Sequence, residues 1–192
     1  MAWDGTGTAA AAGIVTLAEA KLWAKVTAAD DDALITSLIA AAEEYAEEFT
    51  RRRFVHSTET KVLPRFADPI ELPRSPLSSV TSIIYINTAG TTASVATSVY
   101  SVDTAVEPGL IRLAYGQSWP TTRDVYNAVT ITHVVGYSAD ATSVPDGIKT
   151  AVKMLVAHWY EHRESVVVGT ITAEVPMGVK ALLWQFRVPD TD

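Results

Sequence analysis

Between residues 31 and 50, apolar side chains recur at intervals of three and four: Leu34, Ile35, Leu38, Ile39, Ala42, Tyr45, Ala46 and Phe49. That spacing draws one apolar stripe along an α-helix and leaves Glu43, Glu44, Glu47 and Glu48 mostly on the other side. Asp30 stands where it can cap the start, and Asp31 and Asp32 sit where the helix dipole favours anions. Arg51, Arg52 and Arg53 close the end that favours cations. The period returns after Pro145 at Ile148, Ala151, Val152, Leu155, Trp159 and His162. It predicts a helix near 145–163, capped by Ser143 or Asp146, that packs antiparallel to the first. Two shorter helices complete the set. Near 17–26, Thr16 and Glu19 form a capping box, with Leu17, Ala20, Leu22 and Val26 as the buried residues. Near 177–187, Pro176 opens a helix with Val179, Leu182, Leu183 and Phe186 on one face.

Between the two long helices the period changes. Residues 57–137 are rich in Val, Ile, Thr and Tyr and are broken at short intervals by Pro, Gly and Asn. Strands are expected at Glu59–Leu63, Ile70–Leu72, Val80–Ile86, Tyr100–Val102, Leu110–Leu113 and Ala128–Val135. Asn87 to Gly90 and Glu107-Pro108-Gly109 read as turns, and Tyr115 to Asn127 as a loop. The polar stretch Thr88 to Ser98 reads as an exposed hairpin tip. Ser165 to Ala173 is apolar and extended.

These elements place the chain in the α+β class, as a helical bundle with an inserted, mostly antiparallel β-domain. The expected organisation is an N-terminal arm at 1–15, a discontinuous bundle at 16–56 and 138–187, the β-domain at 57–137, and a C-terminal tail at 188–192. The arm is small and Gly/Thr/Ala-rich, as mobile arms are. No internal repeat is visible.

Composition narrows the function more than the fold. With 48% apolar residues in 192, the chain can bury a real core. A formal charge of −7 argues against a nucleic-acid-binding surface, which needs clustered Lys and Arg; only Arg51–Arg53 form a basic run. With no cysteine there is no disulfide framework, thiolate nucleophile or Cys-type zinc site. No run reaches the apolar length of a membrane span, and Asp4 without an early Lys or Arg does not read as a signal peptide.

One motif bears on chemistry. His158-Trp159-Tyr160-Glu161-His162 is H-x-x-E-H, in which two His one turn apart bind zinc and the Glu acts as base. Its context fails. Glu164 is too close on the same helix and Glu174 stands just before Pro176, so neither readily completes a site, and the apolar stripe runs through Trp159 and His162. The expectation is no metal, no cofactor and no catalytic constellation. G-x-S-x-G, P-loop and G-x-G-x-x-G motifs are absent. Asp30-Asp31-Asp32 lacks the Gly and closing Glu of a calcium loop, and His56 and His133 stand alone.

Four segments together carry a resemblance: TLAEAK, DDDALITSLIAAAEEYAEEFTRR, DPIELPRSPLSSVTSIIYI and VPDGIKTAVKMLVAHWYEHRESVVVG. Over residues 16–187 the chain resembles the phage head–tail connectors, in the gp6-like, head-completion adaptor branch of tailed phages and related gene-transfer particles. IELPRSPLSSVTSI and HWYEHRE are the most specific parts. The resemblance implies a non-enzymatic virion protein, made in the bacterial host cytoplasm, that assembles as a ring of about twelve subunits under the portal protein. Such a ring extends the DNA channel without sequence-specific DNA binding and without a membrane, and docks a stopper or tail-side connector. By that analogy Trp184, Phe186, Arg187, Val188 and Pro189 are portal-binding candidates. Thr88, Gly90, Thr91, Thr92 and Ser94 are candidates for the stopper or tail contact. Glu43, Glu44, Glu47, Glu48, Arg51, Arg52 and Arg53 are candidates for the subunit interface. The alternative reading is a tail-completion or tail-terminator ring protein.

Overall fold

The computed structural model describes residues 13–162, 166–167, 170–171 and 175–189. The expected arm up to residue 12, the tail from residue 190, Glu164 and Glu174 lie outside them. The described residues form two compact units, one from His56–Ala139 and the other from residues 13–55 and those from Asp140 on.

The helical unit holds α1 (Leu17–Ala24), α2 (Asp32–Thr50), α3 (Asp146–Glu161) and α4 (Met177–Trp184). Helix α3 touches the other three. Its buried face, Ile148, Ala151, Val152, Leu155 and Val156, meets Ile35, Ile39, Ala42 and Ala46 of α2 and Val179 and Leu183 of α4, all sealed from water or nearly so. Most of both predicted stripes meet here, although Val156 joins that of α3 while Trp159 is only half-buried and His162 exposed, and burying each Ile, Leu or Val contributes about 1.5–3 kcal/mol. Polar ties run in opposite senses at the two ends. The Tyr160 hydroxyl, at the end of α3, donates to Asp31 at the start of α2, while Arg52, after α2, donates to the Phe186 carbonyl. The Phe186 ring in turn lies on Gly147 at the start of α3, where a Cβ would come within 2.9 Å of it. Between Val167 and Thr170 a short antiparallel pair forms, β8 (Val166–Val167) with β9 (Thr170–Ile171).

Four local expectations change, one of them at α3, whose N-cap is Pro145 with no side-chain cap from Ser143 or Asp146. The N-cap of α2 is Asp31, not Asp30, and its side chain makes no capping bond because it is turned to Tyr160. Helix α1 does carry the Thr16–Glu19 capping box, but of its four expected core residues only Ala20 is buried and Leu22 is 82% exposed. Ile14 and Val15, assigned to the arm, are buried, and both amides donate to one Glu43 carboxylate oxygen at 2.7 and 3.1 Å.

The β unit contains a four-stranded antiparallel sheet in the order β1 (Ser57–Leu63), β7 (Val129–Val135), β3 (Leu77–Ile86), β4 (Thr92–Ser94). A second sheet runs β2 (Ile70–Glu71), β6 (Leu110–Leu113), β5 (Tyr100–Asp103). Central β7 buries every second residue, Val129, Ile131, His133 and Val135, as the two-residue period of a strand requires. Of these, Val129, Ile131 and Val135 close on Ile70, Leu72, Leu77, Ile83 and Ile111 to form the core. Against that core Phe66 stacks on Trp119, ring centroids 4.6 Å apart.

Candidate docking surfaces

The C-terminal candidates divide by burial. Trp184 is 62% exposed, held on one side by Phe49 in an edge contact and on another by the Arg187 guanidinium 5.2 Å from its ring centre. Pro189 is exposed. Phe186 is half-buried on Gly147, and Val188 is buried, its amide donating to the Thr50 carbonyl. The five therefore do not form one free segment. Trp184 and Pro189 face solvent, while Phe186 and Val188 clip the chain end to α2 and α3.

The acidic and basic candidates on and after α2 divide in the same way. Glu43 is the clamp for Ile14 and Val15, and burial outweighs those two hydrogen bonds in pushing its carboxyl above the usual range. Glu47 pairs with Arg53 at 2.6 Å and accepts from the Phe54 amide at 2.9 Å. Arg52 is 9% exposed and bonded to the Phe186 carbonyl. Glu44, Glu48 and Arg51 alone among the seven are exposed. A set of alternating charges that reads as one solvated face is thus half internal, because the chain doubles back past the end of α2 through residues 52–54.

On the β unit, Thr88, Gly90, Thr91, Thr92 and Ser94 are all exposed. The tip of the β3–β4 hairpin is the turn Asn87–Thr91, closed by backbone bonds from Asn87 to Thr91 and from Gly90 to Asn87. Gly90 takes a φ of +85°, a conformation that suits glycine. Ser94 lies off the tip, paired with Ile84, and the next residue, Val95, turns into the core. Behind the tip runs the loop 121–127, with Thr122 bridged to Asn87 and the Arg123 guanidinium against Gly90. Tyr115 and Tyr126, both essentially fully exposed, stand on the stretch 115–127 and were not among the sequence-derived candidates. Their only sequence signal is an aromatic in a loop with no apolar period around it.

The H-x-x-E-H residues lie at the end of α3. The rings of His158 and His162 sit 4.6 Å apart, and His162 Nδ1 is 3.0 Å from the His158 carbonyl oxygen. Among the described residues no group of three or more His, Cys, Asp or Glu side chains converges to hold a metal ion. His133, isolated in the sequence, is fully buried in β7 opposite Glu59 of β1. Burial holds its pKa below the usual value, against an opposing pull from Glu59. No described helix is long and apolar enough to cross a membrane.

These surfaces present exposed aromatics and a hairpin tip. The head completion protein family matches residues 13–175 of the chain. The chain belongs to that family. With membership comes the role of a structural connector at the head–tail junction of a phage-like virion. The fold is also that of solved virion chains. One, from the virion of a native gene transfer agent particle, superposes with a TM-score of 0.79 at 23% identity, over 98% of this chain and 97% of that one. A second, from the neck of an empty gene transfer agent particle computed with C6 symmetry, gives 0.77 at 23% identity, over 97% of each chain. A third, from the neck of the native particle computed with C12 symmetry, gives 0.69 at 24% identity, over 83% and 85%. No curated protein matches the chain.

Proposed function

We propose that this head completion protein forms a homo-oligomeric ring of twelve subunits beneath the portal, continues the DNA channel, and docks a stopper or tail-side connector. Its part is structural rather than catalytic, and it is made in the host cytoplasm before joining the virion. The observation that carries the reading is the family match over residues 13–175, whose description is of the head rather than the tail. That favours it over a tail-terminator ring. The net charge of −7 fits a channel wall, since like charge discourages passing DNA from adhering.

The exposed pair Trp184 and Pro189 is the portal contact in this reading, and the hairpin tip at Thr88–Thr92 is the contact for the stopper or tail side. Aromatic anchors flanked by Arg are frequent interface hot spots, and Trp184 with Arg187 has that form. Removing the chain from Arg187 onward would also remove the Val188–Thr50 bond, so a point substitution is the cleaner test. Trp184→Ala is expected to weaken capture of the chain by portal rings about 30-fold or more, the effect of a 2 kcal/mol hot spot, while the protein stays folded with a melting temperature lowered only by the lost Phe49 contact. Capture at wild-type strength by a folded Trp184→Ala protein would remove Trp184 from the portal contact.

A further inference from the structure

Helix α1 carries an apolar surface that the described residues of its own unit leave largely open. Leu22 is 82% and Trp23 46% exposed, neighbours in sequence and both on the outside of the shortest-buried helix of the bundle. They border an open cleft of about 460 Å³ with Glu19 and Lys153. The Lys153 ammonium lies 5.6 Å from the centre of the Trp23 ring, a cation–π distance. Glu19 is drawn below the usual carboxyl range first by its hydrogen bonds with Thr16, and then by Lys153 and Lys149, which places both lysines around the same patch. The patch is therefore apolar at its centre, and two lysines against the one Glu19 carboxylate leave its rim net positive.

The outer face of α2 is its counterpart. Ser37, Ala40, Ala41, Glu44 and Glu48 are exposed there, opposite the buried Ile35, Ile39, Ala42 and Ala46. Ala40 and Ala41 are low enough to admit a Leu and an indole, and the exposed Glu44 supplies negative charge against the lysines. Within one copy the two surfaces cannot meet. Helix α1 approaches α2 from the side of Asp32, through Lys21, and the chain before it from Glu43. Helical geometry puts that side roughly 100° around α2 from Ala40 and Glu44.

We infer that the Leu22–Trp23 patch of one copy docks on the Ala40–Glu44 face of the next. The inference rests on the ring reading above and adds the surfaces that make the ring. A closed ring is built from a heterologous contact, in which each subunit presents two unlike, mutually complementary faces. A centre of Leu and Trp with oppositely charged rims suits such a contact, the aromatic supplying affinity and the charges register.

The absence of cysteine makes the test clean. Leu22→Cys and Ala41→Cys are both surface changes, introduced singly and together in the full chain, and oxidised with and without the portal rings. The double variant is expected to give a ladder of disulfide-linked oligomers ending at the closed ring. A mixture of the two single variants should give only dimers, and either single variant alone none. Separately, Lys153→Glu and Glu44→Lys should each weaken self-association roughly fivefold, with the combination recovering most of the loss. Rings seen by mass measurement without the ladder, or efficient cross-linking of Leu22→Cys alone, would overturn the assigned surfaces while leaving the ring intact. Failure of the charge reversal to recover would do the same. No assembly in any condition, portal included, would overturn the ring and this contact together.

Discussion

At residue scale the fold stores several ionisable groups where water does not reach them. His133 is one. Burial lowers its pKa, so the folded state binds fewer protons than the unfolded state as pH falls below the ordinary histidine value. Its contribution to stability is therefore complete above about pH 6.5 and is lost as pH falls towards the depressed folded value. Glu59 lies opposite and Lys61 acts on the same ring, the first opposing and the second adding to the shift. The melting temperature should drop between pH 7 and pH 5 in the native protein and drop less in His133→Asn. Parallel pH profiles for the two proteins would show that His133 does not carry the effect. Sequence could place His133 in a strand but not at its core face, because histidine supplies no apolar signal and the deciding fact is its alternation with Val129, Ile131 and Val135.

At the scale of elements, the helices were legible because period, caps and breakers agree. The apolar stripes of α2 and α3 were read from spacing alone, and each helix ends within about three residues of its expected limit, the usual uncertainty at helix ends. Helix α1 was misread in part. Ala20 alone of its expected core residues is buried, and Leu22 stands 82% exposed, because the spacing of apolar residues does not tell which side of a short helix meets the bundle. The charged run on and after α2 departs from the expectation for another reason. Whether Glu47 and Arg52 face water depends on residues 53–54 and 186–188 returning past them, a tertiary event with no local signature. Helix α3, in contact with the three other helices, should be the most sensitive to a cavity. Leu155→Ala is expected to cost about 2–5 kcal/mol in chemical denaturation, and a loss below 1 kcal/mol would mean that the bundle collapses around the gap.

At the scale of the whole molecule, folding and assembly draw on different members of one charge cluster. Arg52 is held inside its unit by the Phe186 carbonyl, so Arg52→Glu should destabilise the monomer by about 3 kcal/mol, the cost of breaking a buried charged partnership. Arg51 is exposed at the left-handed C-cap of α2, so Arg51→Glu should lower the melting temperature far less than Arg52→Glu does. A ring contact at Arg51 would then appear as lost assembly in a fully folded protein. Unchanged assembly would take Arg51 out of the interface. Equal destabilisation by both substitutions would contradict the division.

The short hairpin strand β4 has a consequence of a different kind. A sheet edge offers unpaired backbone groups to any strand that comes near, and copies of one chain held close together are the nearest strands available. Here β4 gives three residues, β2 two and β5 four, and the longer edge strand β1 carries Lys61 and two threonines. Edges this short or this polar provide too little template for sheets to fuse. A connector concentrated at a single junction can thus crowd its β units together and keep them separate, so that assembly is left to side chains and polymerisation through the backbone is discouraged.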